Sequence, residues 1–395
     1  MSSNAGLQVI VPAVLGIAAW AAPAGVAAQT PPAAEATPAP AATPPPAAPD
    51  RLSVGSAGGY FRPGILLQGW YVADFMGANS DEIDNTFRIR RAELSVRGEI
   101  LPDWIAYKVM IDPARSVAFG SATIDVQNQD PPPTDPENPE QVTVRSPSSA
   151  VADMFQDYYI TFLLPYVDVS IGQFKLPVSY EGYNSSGHLL FPERFLIARL
   201  WGDRRDLGIR LAHKFDWFGY SAGVFNGAGQ NTFETNNSKD LALRLEAYPL
   251  EGLTIAGVAY ATVGDRDQAG TKDRYEGDLR FERWGFLFQG EYIAARDVGS
   301  DGSAVWAHGF YAALGYTIAD MLQPIVRFGW YDPDLDQDIE PTDANHQTDE
   351  YWQLDGGLNW FIVDYEAMLQ LSYSRFQYDD RTANNQLILA AQVSY

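Results

Sequence analysis

Positive charge is concentrated in one short stretch of an otherwise acidic chain. The segment FRIRRAELSVRGEI, residues 87–100, contains Arg88, Arg90, Arg91 and Arg97, whereas the whole chain of 395 residues has a formal net charge of -23. A guanidinium group stays charged and presents its N–H donors in one plane, so it suits paired hydrogen bonds to phosphate or carboxylate. Clustered arginines therefore indicate binding of small oxyanions, provided that the fold turns them toward water.

The composition excludes several other kinds of site. The chain has no cysteine, which excludes disulfides and thiolate metal sites. A pI near 4.4 argues against nucleic acid as a partner, because binding to phosphate backbones requires a basic face. The 21 Tyr, 20 Phe and 10 Trp coexist with a mean hydropathy of -0.19. So much ring surface in a polar chain is typical of a membrane barrel, which places rings at lipid and at the two interfaces.

Period-two alternation of apolar and polar residues dominates the chain after Arg51. In DLGIRLA, Leu207, Ile209 and Leu211 share one phase and Arg210 lies in the other. Such segments are typical of half-buried strands, and no apolar run approaches the length that a spanning helix needs. Sixteen strands are predicted, at about residues 60–75, 86–98, 104–112, 153–163, 166–174, 205–214, 219–226, 239–248, 253–263, 273–283, 285–295, 305–317, 322–332, 349–361, 364–376 and 385–395.

Short and long connectors take turns between these strands. Short ones include residues 101–103 and 249–252, and long ones include 113–152 and 175–204. Together with the even strand count, this arrangement predicts an all-β fold, a 16-stranded antiparallel transmembrane β-barrel over residues 53–395. A β-sandwich or propeller would also alternate. The final QLILAAQVSY, however, alternates up to a terminal aromatic residue and resembles the end signal of bacterial outer-membrane barrels.

Two different signals precede the barrel. Residues 7–28 are uncharged and end in small residues, which predicts a signal peptide over residues 1–28. Because no Lys or Arg precedes Arg51, a retained membrane anchor stays open as the alternative. Repeated proline in residues 29–52 predicts a disordered Pro/Ala-rich linker. Secretion and a barrel together predict the bacterial outer membrane, with its lipid and lipopolysaccharide, as the location.

The phase of alternation decides where the arginines point. If the apolar residues of AELSV face lipid, Arg91 and Arg97 face the lumen. Extending that phase upstream would expose Arg88 and Arg90 to hydrocarbon, at roughly 2 to 4 kcal/mol each near the midplane. A β-bulge around Arg90 and Arg91 would avoid this cost, so a bulge is predicted. The alternative places Arg88 at the headgroup rim, where a long basic side chain can snorkel.

Connector 175–204 is the predicted inward-folded third loop. Its sequence is too apolar for a loop in water, so burial against the barrel wall is expected. Such a fold would bring these basic residues to the pore: Lys175, Arg194, Arg199, Arg204 and Arg205. Strand phase turns four more toward the lumen: Lys108, Arg210, Arg244 and Arg327. Positive groups at a constriction lower the barrier for anions. Alternatively, the arginines pair with neighbouring acids and only hold the loop.

Five stretches in the first half of the barrel carry a family likeness. They are FRIRRAELSVRG (87–98), VSIGQFKLPVSYE (169–181), FPERFL (191–196), GDRRDLGIRL (202–211) and SAGVFNG (221–227). Together they resemble the phosphate-selective porin O and P family. The resemblance implies a sixteen-stranded barrel, usually a homotrimer, whose basic pore passes phosphate or related anions. On the matching positions it implies anion contacts by Arg91, Arg97, Lys175, Arg194, Arg204, Arg205 and Arg210.

One feature departs from that likeness, and a second is an acidic connector that could bind metal. The family's phosphate selectivity depends on a dense basic ladder, but no Lys or Arg lies between Arg327 and Arg375. The connector DPDLDQDIEPTDAN, residues 332–345, has alternate carboxylates that suit Ca²⁺, although Gln337 stands where an EF-hand needs glycine. A solvated acidic loop without bound metal is the alternative.

No catalytic constellation is evident. His188 lies near Ser185 and Ser186, but no nucleophile-elbow motif or metal-ligand spacing accompanies it. The sequence therefore predicts neither an enzyme nor a cofactor. The expected function is passive diffusion of small anions, with phosphate or pyrophosphate as candidates. Alternatives are a general or weakly cation-selective channel, a non-conducting structural barrel and an outer-membrane barrel enzyme.

Overall fold

A closed barrel accounts for most of the described chain. The computed structural model describes residues 52–54, 58–76, 83–117, 123–125, 141–143, 153–234, 237–264, 268–299, 301–335, 350–378 and 383–395. The predicted signal peptide and nearly all of the predicted linker lie outside these residues, as does most of the acidic connector 332–345.

Sixteen barrel strands are numbered here in chain order. They are β1 Gly59–Met76, β2 Ile83–Leu101, β3 Ile105–Ile111, β4 Phe155–Leu164, β5 Val167–Lys175, β6 Arg205–Lys214, β7 Phe218–Phe225, β8 Lys239–Leu250, β9 Leu253–Val263, β10 Lys272–Arg283, β11 Phe286–Val298, β12 Ala304–Tyr316, β13 Leu322–Asp332, β14 Tyr351–Val363, β15 Ala367–Tyr378 and β16 Asn384–Ser394. Each strand pairs antiparallel with the next, and β16 pairs with β1 to close the barrel. The predicted strand number, order and approximate bounds are confirmed.

The connectors differ at the two ends of the barrel. At one end, called the short-turn end, every connection is brief, for example 102–104, 165–166 and 284–285. The turn at Trp284 and Gly285 has φ values of 56° and 79°, a backbone shape that matches the twist of a tight hairpin. The opposite end, called the long-connector end, carries connector 112–154 and connector 176–204. Both β1 and β16 begin or finish at the short-turn end.

The barrel has an apolar outer face and a polar inner face. On β8, Leu241 and Leu243 are 45% and 42% exposed, whereas the intervening Ala242 and the following Arg244 are 4% and 1% exposed. The same split recurs around the barrel, with exposed Leu, Ile, Val, Phe and Trp on one phase and buried polar residues on the other. This is the arrangement expected of a barrel whose exterior meets hydrocarbon.

A few small elements accompany the barrel. Strand Leu52–Val54 pairs with the start of β1, and strands Thr123–Asp125 and Gln141–Thr143 form a separate hairpin. Helix α1, Ala114–Val117, follows β3. Among the described residues, no helix combines the length and the apolar character needed to cross a membrane.

The predicted β-bulge in the arginine-rich strand is confirmed. On β2, Arg91 lies opposite Gln68 and Ile89 lies opposite Gly69, so Arg90 is the extra residue. Phe87 and Ile89 are 82% and 55% exposed on the apolar outer face. The bulge thus keeps the apolar side chains outside on both of its sides.

The bulge also turns Arg88 inward. The Arg88 guanidinium stacks on the ring of Trp70, its cross-strand partner, with 4.8 Å between the guanidinium carbon and the ring centre. Trp70 is buried and shares the inner phase of β1 with Gln68. Arg88 therefore follows the bulge prediction and not the headgroup alternative.

Deleting Arg90 should leave a barrel that folds, because removal of the extra residue restores regular pairing without changing which face each neighbour occupies. Deleting Leu94 instead shifts the register within a regular strand and turns one set of side chains to the wrong face. The measurement is heat-modifiable migration and circular dichroism after refolding into detergent.

Arg90→Ala is the matched control, since it keeps the bulge and loses only the side chain. Equal failure of the Arg90 and Leu94 deletions, with Arg90→Ala folding normally, would contradict the bulge assignment.

Candidate functional site

Residues 176–204, called the constriction segment here, form a long connector that is described along its whole length. The segment contains helix α2 Tyr180–Tyr183, a 3₁₀ turn at Ser186–His188 and a π-helical turn at Ala198–Gly202. Ser179 caps α2 with a left-handed φ of 65°, and its Oγ accepts a hydrogen bond from the Gly182 N–H at 2.9 Å. Gly182 packs against Gly202 so closely that a Cβ at position 182 would lie 2.3 Å from the Gly202 carbonyl carbon.

Apolar side chains of the constriction segment pack on the inner face of the barrel. Phe195 and Ile197 have no exposed surface. Each rests on a wall glycine. A Cβ built on Gly329 would lie 2.3 Å from the Phe195 ring, and one on Gly309 would lie 2.6 Å from Ile197 Cγ2. A smaller cluster joins Phe191 of the segment to wall residues of β11, β12 and β13. Burial of these large side chains supplies the apolar part of the docking.

Side-chain amides of the wall bind main-chain carbonyls of the segment. Gln68 Nε2 donates to the Ser186 carbonyl at 3.2 Å, and Gln392 Nε2 donates to the Gly187 carbonyl at 3.0 Å. Asn359 Nδ2 donates to the Leu190 carbonyl at 2.9 Å. These donors come from β1, β16 and β14, so wall strands on both sides of the barrel closure hold the segment.

A buried ion pair joins the segment to β13 and β14. Arg327 Nε lies 2.7 Å from Asp355 Oδ2, and Arg327 Nη1 lies 3.3 Å from Glu181 Oε1. Arg327 Nη1 also donates to the Glu193 carbonyl oxygen at 3.3 Å, and its guanidinium lies over the Phe191 ring. Arg327 is therefore a structural link between wall and segment. Removal of one member of such a pair leaves a buried charge uncompensated.

Asp203 is a second centre of charge pairing. Its carboxylate oxygens lie 3.3 Å from Arg194 Nη1, 3.5 Å from Lys175 Nζ, 3.9 Å from Arg115 Nη2 and 4.0 Å from Arg205 Nη1. Burial alone would raise the pKa of Asp203, but these positive charges outweigh burial and hold the pKa well below its usual range. Asp203 thus stays ionised, and its ion pairs join the end of the segment to Lys175 and Arg205 on the wall.

Glu193 forms ion pairs with three arginines near the bulge. Its carboxylate oxygens lie 2.8 Å from Arg90 Nη2, 2.9 Å from Arg199 Nη1 and 3.4 Å from Arg91 Nη2. Burial tends to raise the pKa of Glu193, but the charges of Arg91, Arg90 and Arg199 outweigh it and lower the pKa. Glu193 is therefore an ionised anchor. Arg91 additionally donates to Gln68 Oε1 at 2.5 Å.

Three further predicted site residues are also paired with acids on the wall. Arg205 Nε lies 2.7 Å from Asp157 Oδ1, and Lys108 Nζ lies 2.7 Å from Asp157 Oδ2. Arg244 lies 2.8 Å from Asp278 and 2.7 Å from Glu246. Most of the predicted basic residues therefore have a carboxylate partner, as the holding alternative anticipates.

Three predicted residues have no carboxylate partner among the described residues, namely Arg97, Arg204 and Arg210. Arg204 is exposed, and its Nε donates to the Leu200 carbonyl at 3.0 Å. Arg210 lies 4.5 Å above the Phe174 ring centre and donates to the Tyr183 hydroxyl at 3.3 Å. Arg97 is exposed on the inner phase of β2.

Strand register assembles a row of positive charge that includes a residue missed by sequence reasoning. Arg62 on β1 is the cross-strand partner of Arg97, and Arg97 is the partner of Lys108 on β3. Arg62 has no ion pair or side-chain hydrogen bond to a described residue, and its buried Nε lacks a partner. Arg62 shares the even-numbered phase of Gln68, a signal that the interrupting Pro63 obscured.

Arg210 extends this row beyond β3. Lys108 is the cross-strand partner of Tyr159, and the Arg210 guanidinium lies 5.9 Å from the Tyr159 ring centre. We call Arg62, Arg97, Lys108 and Arg210 the basic row. Like charges in directly opposed positions destabilise a sheet. The pairing of Arg62, Arg97 and Lys108 is therefore unfavourable for the sheet itself.

The sequence model of the family described as phosphate-selective porin O and P matches residues 67–279, more than half of the chain. The chain belongs to this family. No curated protein matches the chain with significant similarity.

Solved outer-membrane proteins share the fold of this porin. The outer membrane channel DcaP of Acinetobacter baumannii is similar at 13% identity and a TM-score of 0.56, over 86% of this chain and 99% of that one. An anion-selective porin from Comamonas acidovorans is similar at 10% identity and a TM-score of 0.56, over 85% and 100%. A trimer form of the Vibrio cholerae outer membrane protein OmpT is similar at 11% identity and a TM-score of 0.53, over 85% and 99%.

Family and fold together place this porin in the bacterial outer membrane. They also indicate a channel rather than an enzyme. His188 packs on the ring of Tyr365, while Ser186 Oγ accepts from Arg194 and Ser185 Oγ caps the Gly187 N–H. None of these contacts is a nucleophile–base pair. Within the described part of the chain, no group of His, Asp and Glu side chains is arranged to hold a metal ion.

Replacing Gly329 by valine should dislodge the constriction segment while the barrel stays closed, because the new side chain occupies the space of the Phe195 ring. Overpacking of this kind costs roughly 1 to 3 kcal/mol. The measurement is limited trypsin cleavage of purified porin, with faster cutting expected at Arg199 in the segment.

Gly277→Val is the matched control, because a Cβ at Gly277 meets no atom within 4 Å. Equal protection of the two variants from trypsin would show that Phe195 does not depend on the glycine surface.

Proposed function

We propose that this porin is a water-filled channel for passive diffusion of small anions, including phosphate, and that it needs no cofactor. The constriction segment lies across the lumen and narrows it. The basic row lines the water-filled passage on the β1–β6 side. Three copies assemble in the membrane, as in the trimer form of the Vibrio cholerae relative.

The observation that carries the proposal is the contrast between the basic row and the other basic residues. Arg91, Arg194, Arg205 and Arg327 have carboxylate partners. Among the described residues, no carboxylate pairs with Arg62, Arg97 or Arg210. A guanidinium group without a carboxylate partner can donate two parallel hydrogen bonds to a passing oxyanion. Lys108 adds a charge that is shared with Asp157.

The acidic residues on the opposite wall support anion over cation passage. Glu276 Oε2 accepts a hydrogen bond from the Ser179 N–H at 2.5 Å, and Glu291 Oε2 accepts one from the Tyr311 hydroxyl at 3.2 Å. Both carboxyls lie buried beneath the constriction segment. They are therefore occupied by protein donors and face away from water, where a cation would pass.

A modest preference is expected rather than strict phosphate selectivity. The basic row occupies four strands of the first half of the barrel, and β14 carries no Lys or Arg. The field that attracts anions is consequently one-sided. A general or weakly cation-selective channel remains the alternative outcome of the measurement below.

The test is the reversal potential across planar lipid bilayers in a KCl gradient. Unmodified porin should favour chloride over potassium, and added phosphate should reduce chloride current. The triple variant Arg62→Gln, Arg97→Gln and Lys108→Gln should lose much of this preference, because three positive charges leave the passage.

Arg283→Gln is the matched control, since Arg283 pairs with exposed Glu251 at the short-turn end and lies outside the basic row. A potassium preference in the unmodified porin would establish the cation-selective alternative. An unchanged reversal potential in the triple variant would remove the basic row from the mechanism.

A further inference from the structure

Carboxyl groups outnumber guanidinium groups in a buried cluster beneath the constriction segment. The carboxyls belong to Glu181, Glu276, Asp278, Glu291 and Asp355, and the guanidiniums belong to Arg244 and Arg327. All of these residues are buried. This excess of acid is not used by the proposed anion passage.

Each of the two arginines is paired with more than one carboxyl group. Arg327 lies between Asp355 and Glu181, at 2.7 Å and 3.3 Å. Arg244 Nη1 lies 2.8 Å from Asp278 Oδ2 and 3.4 Å from Glu276 Oε1. Arg244 Nε is also 2.7 Å from the partly exposed Glu246. Two guanidinium groups therefore cannot neutralise all of these carboxyl groups if every one is ionised.

Glu291 has no guanidinium partner in the described chain. Its Oε1 is buried without a hydrogen-bond partner, and its Oε2 accepts from the Tyr311 hydroxyl and from the Glu181 N–H at 3.4 Å. Asp278 is its direct cross-strand partner, so two acids face each other between β10 and β11. An isolated ionised carboxylate is very costly to bury, and a buried acid next to another acid keeps its proton instead.

Glu276 and Glu291 both contact the main chain at the start of the constriction segment. Glu276 binds the N–H of Ser179, the residue that caps α2, and Glu291 lies against the N–H of Glu181. These two contacts hold the first residues of the segment against β10 and β11. A change of charge at Glu276 or Glu291 therefore acts directly on its docking.

We propose that Glu276 and Glu291 form a proton-bearing latch, which holds the constriction segment while protonated and releases it when alkaline pH removes the protons. The ionised Glu276 and Glu291 then repel Glu181 across the interface with the segment, and they repel Asp278 and each other within the wall. The segment then moves away from the wall, and the channel widens.

The latch is enclosed by titratable and charged groups from several elements. They are Arg244 and Glu246 on β8, Asp278 on β10, Tyr311 on β12, Arg327 on β13, Asp355 on β14, and Tyr180, Glu181 and Arg194 on the constriction segment. Only the two arginines of the wall and Arg194 are positive, and each has its own carboxylate partner. Arg244 also contacts one latch acid, Glu276, at 3.4 Å, whereas no positive group of the described residues contacts Glu291.

Glu181 in the segment responds to pH in the same direction. Burial raises the pKa of Glu181, despite the opposing charge of Arg327, the hydrogen bond from the Phe195 N–H and the charge of Arg194. A carboxyl whose pKa is higher when docked than when released retains protons on docking. Docking is therefore favoured at lower pH and weakens as pH rises through that range.

One experiment detects the protons directly and does not need a conducting channel. Infrared spectra of the purified porin in detergent at neutral pH should contain a carboxylic acid C=O band that decreases at alkaline pH. Glu276→Gln and Glu291→Gln should each lose part of this band. Absence of the band in the unmodified porin would overturn the latch, since the cluster would then be ionised or neutralised by a cation.

The second experiment measures the channel in planar bilayers between neutral and alkaline pH. Unmodified porin should gain conductance as pH rises, whereas Glu276→Gln and Glu291→Gln should lose that gain because a neutral amide cannot ionise. Glu282→Gln is the matched control, because Glu282 is half-exposed on β10, pairs with Arg280 and lies outside the cluster.

Each failure points to a different hypothesis. A conductance without pH dependence, or an equal gain in the two cluster variants, overturns the latch. The latch relies on the proposed channel only for this electrical readout. A porin that conducts with the predicted pH dependence but prefers potassium contradicts the proposed anion passage and leaves the latch in place.

Discussion

The whole structure depends on the absence of water around the outer surface of the barrel. Hydrocarbon offers no hydrogen-bond partners, so every backbone N–H and C=O in the spanning strands must be paired within the sheet. The pairing of β16 with β1 meets this requirement by leaving no open edge. A second consequence follows from the two-residue period of a strand. Apolar side chains predominate on the outside, and most charged residues of the spanning strands face the interior. Arg375, near one end of β15, is an exception that shares the outer phase of Leu371 and Tyr373.

The charged side chains inside the barrel fall into two groups, those with and those without a partner of opposite charge. Opposite charges pair where a segment is to be held, as Arg327 pairs with Asp355 and Glu181. Arg62 and Arg97 have no carboxylate partner among the described residues, and the proposed function places them where water and solute pass. The same residue type therefore has two roles in one barrel. The number and distance of carboxylate partners distinguish the roles, whereas overall charge does not.

The constriction segment combines close packing with a surplus of buried acid. Phe195 and Ile197 rest on Gly329 and Gly309, where larger side chains would collide with them. This fit is strong and independent of pH. The carboxyl groups beneath α2 oppose it once they ionise. Docking is consequently a balance between apolar burial, which is fixed, and electrostatics, which the solution can change.

Local pattern was enough to predict the strands, their order and the outward face. Alternation over a few residues is a property of neighbouring positions, and a charged side chain placed in lipid costs roughly 2 to 4 kcal/mol near the midplane, so the pattern is strict. The bulge at Arg90 was predictable for the same reason, since only an extra residue keeps Ile89 outside and Arg88 inside. The family motifs in residues 67–279 then identified the class of channel.

Tertiary structure alone decided which charges meet. Arg62, Arg97 and Lys108 belong to three strands, and only register brings them into one row. Glu291 and Glu181 are far apart in sequence, and they meet because connector 176–204 packs on β11. Such encounters depend on long-range geometry that leaves no periodic trace in the chain. The sequence by itself therefore determined the barrel and the direction of most of its side chains, whereas only the folded structure determined which arginines have a carboxylate partner among the described residues and which do not.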